Sequence, residues 1–129
     1  MQPYNVLIVD DDPQVTLALS IRLRAAGYVV DTAPDGETGL EKLALKLPDV
    51  VLLDMRMPGI DGLEVIRRMK MDERLSRVPV IVISANAQET VKREAIATGA
   101  KLFLEKPYES RVLLDALTRV LARDREMAG

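Results

Sequence analysis

The stretch VLIVDDDP, residues 6–13, runs four apolar residues directly into three consecutive carboxylates and a proline. A short β-branched run without polar interruption reads as a strand buried on both faces. Asp12 followed by Pro13 reads as a helix N-cap with proline at the first helical position, and this capping is taken as the whole role of Asp12. A strand, a tight turn and a helix therefore begin the chain. The acids between them need a cause, because two unit charges about 4 Å apart near a protein surface repel by roughly 4 kcal/mol.

The same alternation continues along the chain. Further strand-like runs stand at YVVDTA (28–33), VVLL (50–53), VPVIVIS (78–84) and KLFLE (101–105). Helical stretches separate them: Pro13 up to Gly27, about 35–46, GLEVIRRMKMDE (62–73) capped by Asp61, and about 88–98. A fifth starts near Ser110 and carries Val112, Leu113, Leu117, Val120 and Leu121 before its apolar pattern fades into RDREMAG. The fourth has few large apolar residues beyond Val91 and Ile96. Strands alternating with helices, several of the strands almost wholly apolar, predict a doubly wound α/β fold with a parallel sheet covered on both faces. Right-handed crossovers and short loops favour the flavodoxin-like order 2-1-3-4-5, five strands with five helices, and place a crevice at the carboxyl ends of strands 1 and 3.

Composition bounds the chemistry. At 129 residues the chain fits one domain, and a net charge of −2 gives no sign of bulk attraction to nucleic acid or membrane. No apolar run approaches the roughly 20 residues of a membrane span, so a cytoplasmic protein is the default. Cysteine and histidine are both absent, which removes thiolate and imidazole ligands and nucleophiles. Carboxylates remain.

Parallel strands share one carboxyl edge. Asp10 and Asp11 end strand 1, Asp54 ends strand 3, Ser84 ends strand 4 and Lys106 follows strand 5. Convergent carboxylates suit a hard divalent cation such as Mg²⁺, which takes one or two of them together with water and phosphoryl oxygens. Each residue alone has a plainer reading: Asp10 and Asp11 as caps or turn formers, Asp54 as a turn residue, Ser84 as a cap, Lys106 as a solvated lysine, Phe103 as core. Their joint placement at one edge favours a site.

VDD at 9–11, LLDMRMPGIDG at 52–62, VISA at 82–85 and the Lys106-Pro107 pair, in this order and spacing, resemble receiver domains of the two-component response regulator family. The resemblance spans essentially the whole chain, with residues 1–125 as the receiver domain and 126–129 as a short tail. It implies that Asp54 accepts a phosphoryl group from a histidine kinase or phosphotransfer protein. Asp10, Asp11, Asp54 and the backbone carbonyl of Arg56 would provide the Mg²⁺ site, Asp10 through a bound water. Ser84, the Ala85 backbone N–H and Lys106 would meet the phosphoryl oxygens. Ser84 and Phe103 would form the switch, and Arg56 and Asn86 would influence how long the phosphoryl group lasts. The resemblance further implies output to an unknown downstream protein through the face of helix 4, strand 5 and helix 5. No direct nucleic-acid contact is expected, and the state would be a monomer or a phosphorylation-linked dimer. In this family the bond before the proline at 107 is often cis. About seven residues after the last helix are too few for a DNA-binding output domain.

Two rival readings follow from the same residues. A haloacid-dehalogenase-like phosphohydrolase also opens with D-x-D, which Asp10 and Asp12 satisfy, but it needs a further acidic motif after the lysine and leaves Asp54 idle. A degenerate, phosphorylation-independent binding module would have no use for the intact set Asp10, Asp11, Asp54, Ser84 and Lys106. The chain is therefore expected to act as a signalling domain and not as an enzyme with turnover, assisting only its own phosphorylation and dephosphorylation.

Overall fold

The computed structural model describes residues 2–86 and 88–128, with side chains through residue 122. Strands β1 (Asn5–Val9), β2 (Val29–Ala33), β3 (Val50–Asp54), β4 (Val80–Ser84) and β5 (Leu102–Glu105) alternate with helices α1 (Pro13–Ala25), α2 (Gly36–Leu45), α3 (Gly62–Lys70), α4 (Glu89–Thr98) and α5 (Ser110–Ala128). The sheet is parallel throughout, in the expected order β2-β1-β3-β4-β5.

Side chains alternate across a strand, and here both faces are buried. Leu7, Val9, Val51, Leu53, Val80 and Val82 belong to the layer containing Leu43 of α2, Val65, Ile66 and Met69 of α3 and Ala95 of α4. Their neighbours Val6, Ile8, Val50, Leu52, Ile81 and Ile83 join Leu19 and Leu23 of α1 and Leu113 and Leu117 of α5. Continuous apolar runs are thus the signature of a central strand with a helix on either side.

Short polar side chains fix where the helices begin. Asp12 accepts hydrogen bonds from the Gln14 and Val15 amides at 2.9 and 3.4 Å, Asp35 from Thr38 at 2.7 Å, and Asp61 from Glu64 at 2.9 Å. Each satisfies an amide that the first helical turn leaves without a partner. Gly27, at φ +98°, takes the left-handed turn that leads α1 into β2.

Two boundaries differ from the sequence reading. The third helix stops at Lys70, short of Glu73, because the Asp72 carboxylate captures the Arg74 and Leu75 amides and starts a separate 3-10 turn, Leu75–Arg77. The last helix continues to Ala128, beyond the fading apolar stripe, carried by Ala, Arg, Glu and Met, all strong helix formers. Of the expected tail at 126–129, residues 126–128 therefore continue α5, and Gly129 lies outside the described residues.

α4 is anchored as weakly as its sequence suggests: Ala95 is its one buried residue, and Ile96 is 47% exposed. α3, by contrast, buries Gly62, Val65, Ile66 and Met69. Gly62 is where α3 presses on the end of β3. A Cβ there would stand 2.8 Å from the Asp54 carbonyl oxygen and 2.9 Å from the Met55 Cα, both backbone atoms that cannot swing aside. Gly62→Ala is expected to lower the free energy of unfolding by about 1–3 kcal/mol, the cost of overpacking a tight contact. Urea denaturation checks this, and an unchanged midpoint would contradict the close approach.

Candidate functional site

Strand register brings the expected residues to one edge. Val9 lies opposite Leu53, Asp54 opposite Ile83, and Ser84 opposite Glu105, so the residues that follow each strand emerge side by side. Ligand atoms of Asp10, Asp11 and Asp54 all lie within 4.8 Å of one another. Asp10 is buried at 6% exposure and Asp11 is exposed. Asp54 lies between these extremes, its side chain 14% exposed.

The β1–α1 turn orients the first acid. Asp10 Oδ1 accepts the Asp12 amide at 2.9 Å, which leaves Oδ2 toward Lys106 at 3.6 Å. Lys106 Nζ is also 3.9 Å from Asp54 Oδ1. Both separations exceed the roughly 2.7–2.9 Å of a charge-assisted hydrogen bond. One ammonium facing three carboxylates leaves two formal negative charges uncompensated. The donor set and the excess charge both fit a small divalent cation.

Asp54, Arg56, Ser84, Ala85, Asn86 and Lys106 line a cleft of about 500 Å³. Ser84 is buried, and its hydroxyl oxygen accepts the Asn86 amide at 3.1 Å, so its hydrogen is available to a second acceptor in the cleft. The Asn86 side-chain oxygen accepts the Gln88 amide at 3.1 Å, at the entry to α4, and its amide NH₂ group is what remains for the cleft. Arg56 lies on the exposed loop after β3. Phe103, opposite Val82 in β5, packs partly buried against the layer of α2, α3 and α4. The Lys106–Pro107 peptide is cis.

Sequence reading passes over Tyr108. Half-buried against the α1 and α5 layer, its phenol is pushed up by burial, with the Arg22 guanidinium pulling the other way and the Asp10 carboxylate adding to the rise. An aromatic residue directly after the Lys-Pro pair was the available signal. Asp12 Oδ1 accepts the Gln14 and Val15 amides, the N-cap role expected of it.

Burial pushes the Asp54 carboxyl above its ordinary range; Lys106 pulls it down, Asp10 and Asp11 push it up, and the Arg56 amide N–H lowers it. A folded-state pKa above the unfolded one means that the fold prefers the neutral acid. Ionised Asp54 therefore costs stability at neutral pH, and the cost disappears as pH falls below the unfolded carboxylate value of about 3.9. In chelator at pH 7, Asp54→Asn is expected to melt at a higher temperature than the unaltered chain, with the gap closing through that acid range. Calorimetry at several pH values reads this; a lower melting temperature for the variant at pH 7 would show that the carboxylate is not under repulsion.

Residues 6–118 match the response regulator receiver domain family. Protein PilH of Pseudomonas aeruginosa is 37% identical over 118 residues, covering 92% of this chain and 98% of that protein. The DNA-binding dual master transcriptional regulator RpaA of Synechocystis is 38% identical over 120 residues, covering 92% of this chain but only 49% of RpaA. The chain thus spans about half the length of that relative, and 26% of response regulator PleD of Caulobacter vibrioides. Among solved structures, the receiver domain of the sensor histidine kinase PA1611 from Pseudomonas aeruginosa superimposes with a TM-score of 0.87 at 28% identity, over 94% of this chain and 99% of that one. That structure holds a magnesium ion in its active site cleft. The sheet order, the acidic cluster at its carboxyl edge and a match from β1 into α5 have one common explanation: this chain belongs to the response regulator receiver domain family of two-component systems.

Proposed function

We propose that the chain accepts a phosphoryl group on Asp54 from the phosphohistidine of a histidine kinase or phosphotransfer protein. The observation that carries this reading is the meeting of Asp10, Asp11 and Asp54 within 4.8 Å beside a loosely paired lysine. A carboxylate oxygen of Asp54 attacks phosphorus as the bond from phosphorus to the donor's imidazole nitrogen breaks, and the imidazole keeps that electron pair. No base is needed, because an aspartate is already ionised at neutral pH.

The remaining residues manage charge. Asp10, Asp11 and Asp54, with the backbone carbonyl of Arg56, would hold Mg²⁺, as the related receiver domain holds magnesium in its cleft. When bound, the ion supplies positive charge to the transferring oxygens, the main requirement of phosphoryl transfer. Lys106 releases its weak hold on Asp10 and Asp54 to pair with a phosphoryl oxygen. Ser84 donates its hydroxyl hydrogen to another oxygen, and the Ala85 amide serves a third. Arg56 and Asn86, which both line the cleft, control the approach of water and so the lifetime of the acyl phosphate.

Pulling Ser84 toward a phosphoryl oxygen disturbs its bond to the Asn86 amide, which leads into α4. With Ala95 as its one buried residue, α4 is the element that yields, and Phe103 moves inward behind Ser84. The face of α4, β5 and α5 then changes its affinity for a downstream protein or for a second copy. The chain performs no turnover on other substrates and works in the cytoplasm.

Incubation with acetyl phosphate and Mg²⁺ is expected to add one acid-labile, hydroxylamine-sensitive phosphoryl group by mass spectrometry. Asp54→Asn and chelation of the metal should each abolish it. Mg²⁺ at one hundred times its Kd should also stabilise the unlabelled fold by about 2.7 kcal/mol. Labelling that persists in Asp54→Asn would refute the assignment.

A further inference from the structure

Arg22, in the last turn of α1, donates from Nη1 to the hydroxyl of Ser110, the first residue of α5 and 88 positions away in sequence. This contact borders the connection that carries Lys106. The connection itself has few ties: the Lys106 amide donates to the Ser84 carbonyl at 2.9 Å, and the Val112 and Leu113 amides close on the Glu109 carbonyl at 3.0 and 3.4 Å. Among the described residues, no hydrogen bond reaches the backbone of Pro107 or Tyr108. Tyr108 is held by packing against the α1 and α5 layer.

The ammonium of Lys106 is equally unconstrained at its tip. Neither Asp10 at 3.6 Å nor Asp54 at 3.9 Å approaches a charge-assisted hydrogen bond. Its position depends on the backbone that presents it, and that backbone is secured at its far end by α1. We propose that Arg22 is a positioning residue for phosphoryl transfer: its bond to Ser110, together with the packed ring of Tyr108, clasps the β5–α5 connection to α1 and sets where Lys106 meets the phosphoryl oxygen. This inference rests on Asp54 as the acceptor. It makes the reaction sensitive to whatever displaces α1, because α1 then controls the lysine without touching the phosphoryl group.

The test measures the rate of labelling of the full chain by acetyl phosphate and Mg²⁺. Arg22→Ala and Ser110→Ala should each slow it about 2- to 10-fold, the range of one hydrogen bond, and the double variant should be no slower than either. Arg22→Lys, which keeps a donor, should recover most of the rate. Arg24→Ala removes the neighbouring arginine, bonded instead to the Val30 carbonyl, and should leave the rate unchanged. In a Lys106→Ala background, Arg22→Ala should slow labelling no further. Equal slowing with and without Lys106, or losses that add in the double variant, would overturn the inference. A separate readout needs no phosphoryl group: amide exchange of Val112 and Leu113 in unlabelled Arg22→Ala should accelerate, and unchanged exchange would sink the clasp. Failure of the Asp54 reading would show differently, as an unaltered chain that takes no label while Arg22→Ala still exchanges faster.

Discussion

Repulsion among the carboxylates of Asp10, Asp11 and Asp54 is the constraint around which the rest of the molecule is arranged. Left to itself, a flexible chain would relieve it by moving the groups apart, since unit charges at about 4 Å cost roughly 4 kcal/mol near a surface. The fold prevents that relief. Asp10 and Asp11 directly follow β1 and Asp54 ends β3 of a rigid parallel sheet, and Val9 and Leu53, just before them, are fully buried and paired in register. The apolar side chains buried along β1 and β3, Val6 to Val9 and Val50 to Leu53, at about 1.5–3 kcal/mol each, together outweigh the electrostatic cost, and the charges remain concentrated at this edge of the sheet.

Gly62 and Asp12 show how the surrounding elements are bent to this purpose. Gly62 lets the first turn of α3 touch the carbonyl of Asp54, so β3 is braced by a helix immediately beyond it. Asp12 caps α1 and offers its own amide to Asp10, so one turn both starts a helix and orients an acid. Removing polar groups from this edge would relieve repulsion and abolish the chemistry together, a conflict between stability and function expected at a functional site.

Fold and site were legible to different depths. VLIV, VVLL and VIVI announce central strands because burial on both faces leaves no polar position, and strand ends then point to Asp10, Asp11, Asp54, Ser84 and Lys106. Helix starts were legible where a short polar side chain meets a proline or glycine, as at Asp12 and Asp61. What escaped depends on contacts across long separations or on side-chain direction. The pairing of Arg22 with Ser110 has no periodic signature, and Asn86 could not be seen to spend its oxygen on the entry to α4. Asp72 fits a helical run by sequence, and only the hold of its carboxylate on two amides of the following turn marks the break.

Three helices leave the cleft by different routes, and their anchoring decides which one responds. α3 starts at Gly62 against Asp54, α4 follows Ser84 through Asn86, and α5 follows Lys106 through Tyr108. Under the proposed transfer, all three meet the new charge. A hydrogen bond to a charged group contributes about 1.5–3 kcal/mol, comparable to one buried aliphatic side chain. α3 keeps Val65, Ile66 and Met69 in the core, and α5 keeps Leu113, Leu117 and Leu121, so one such bond cannot displace either. α4 keeps only Ala95. The same local perturbation would thus leave two helices in place and shift the third, so that under this proposal the direction of the signal follows from unequal burial and not from any special pathway.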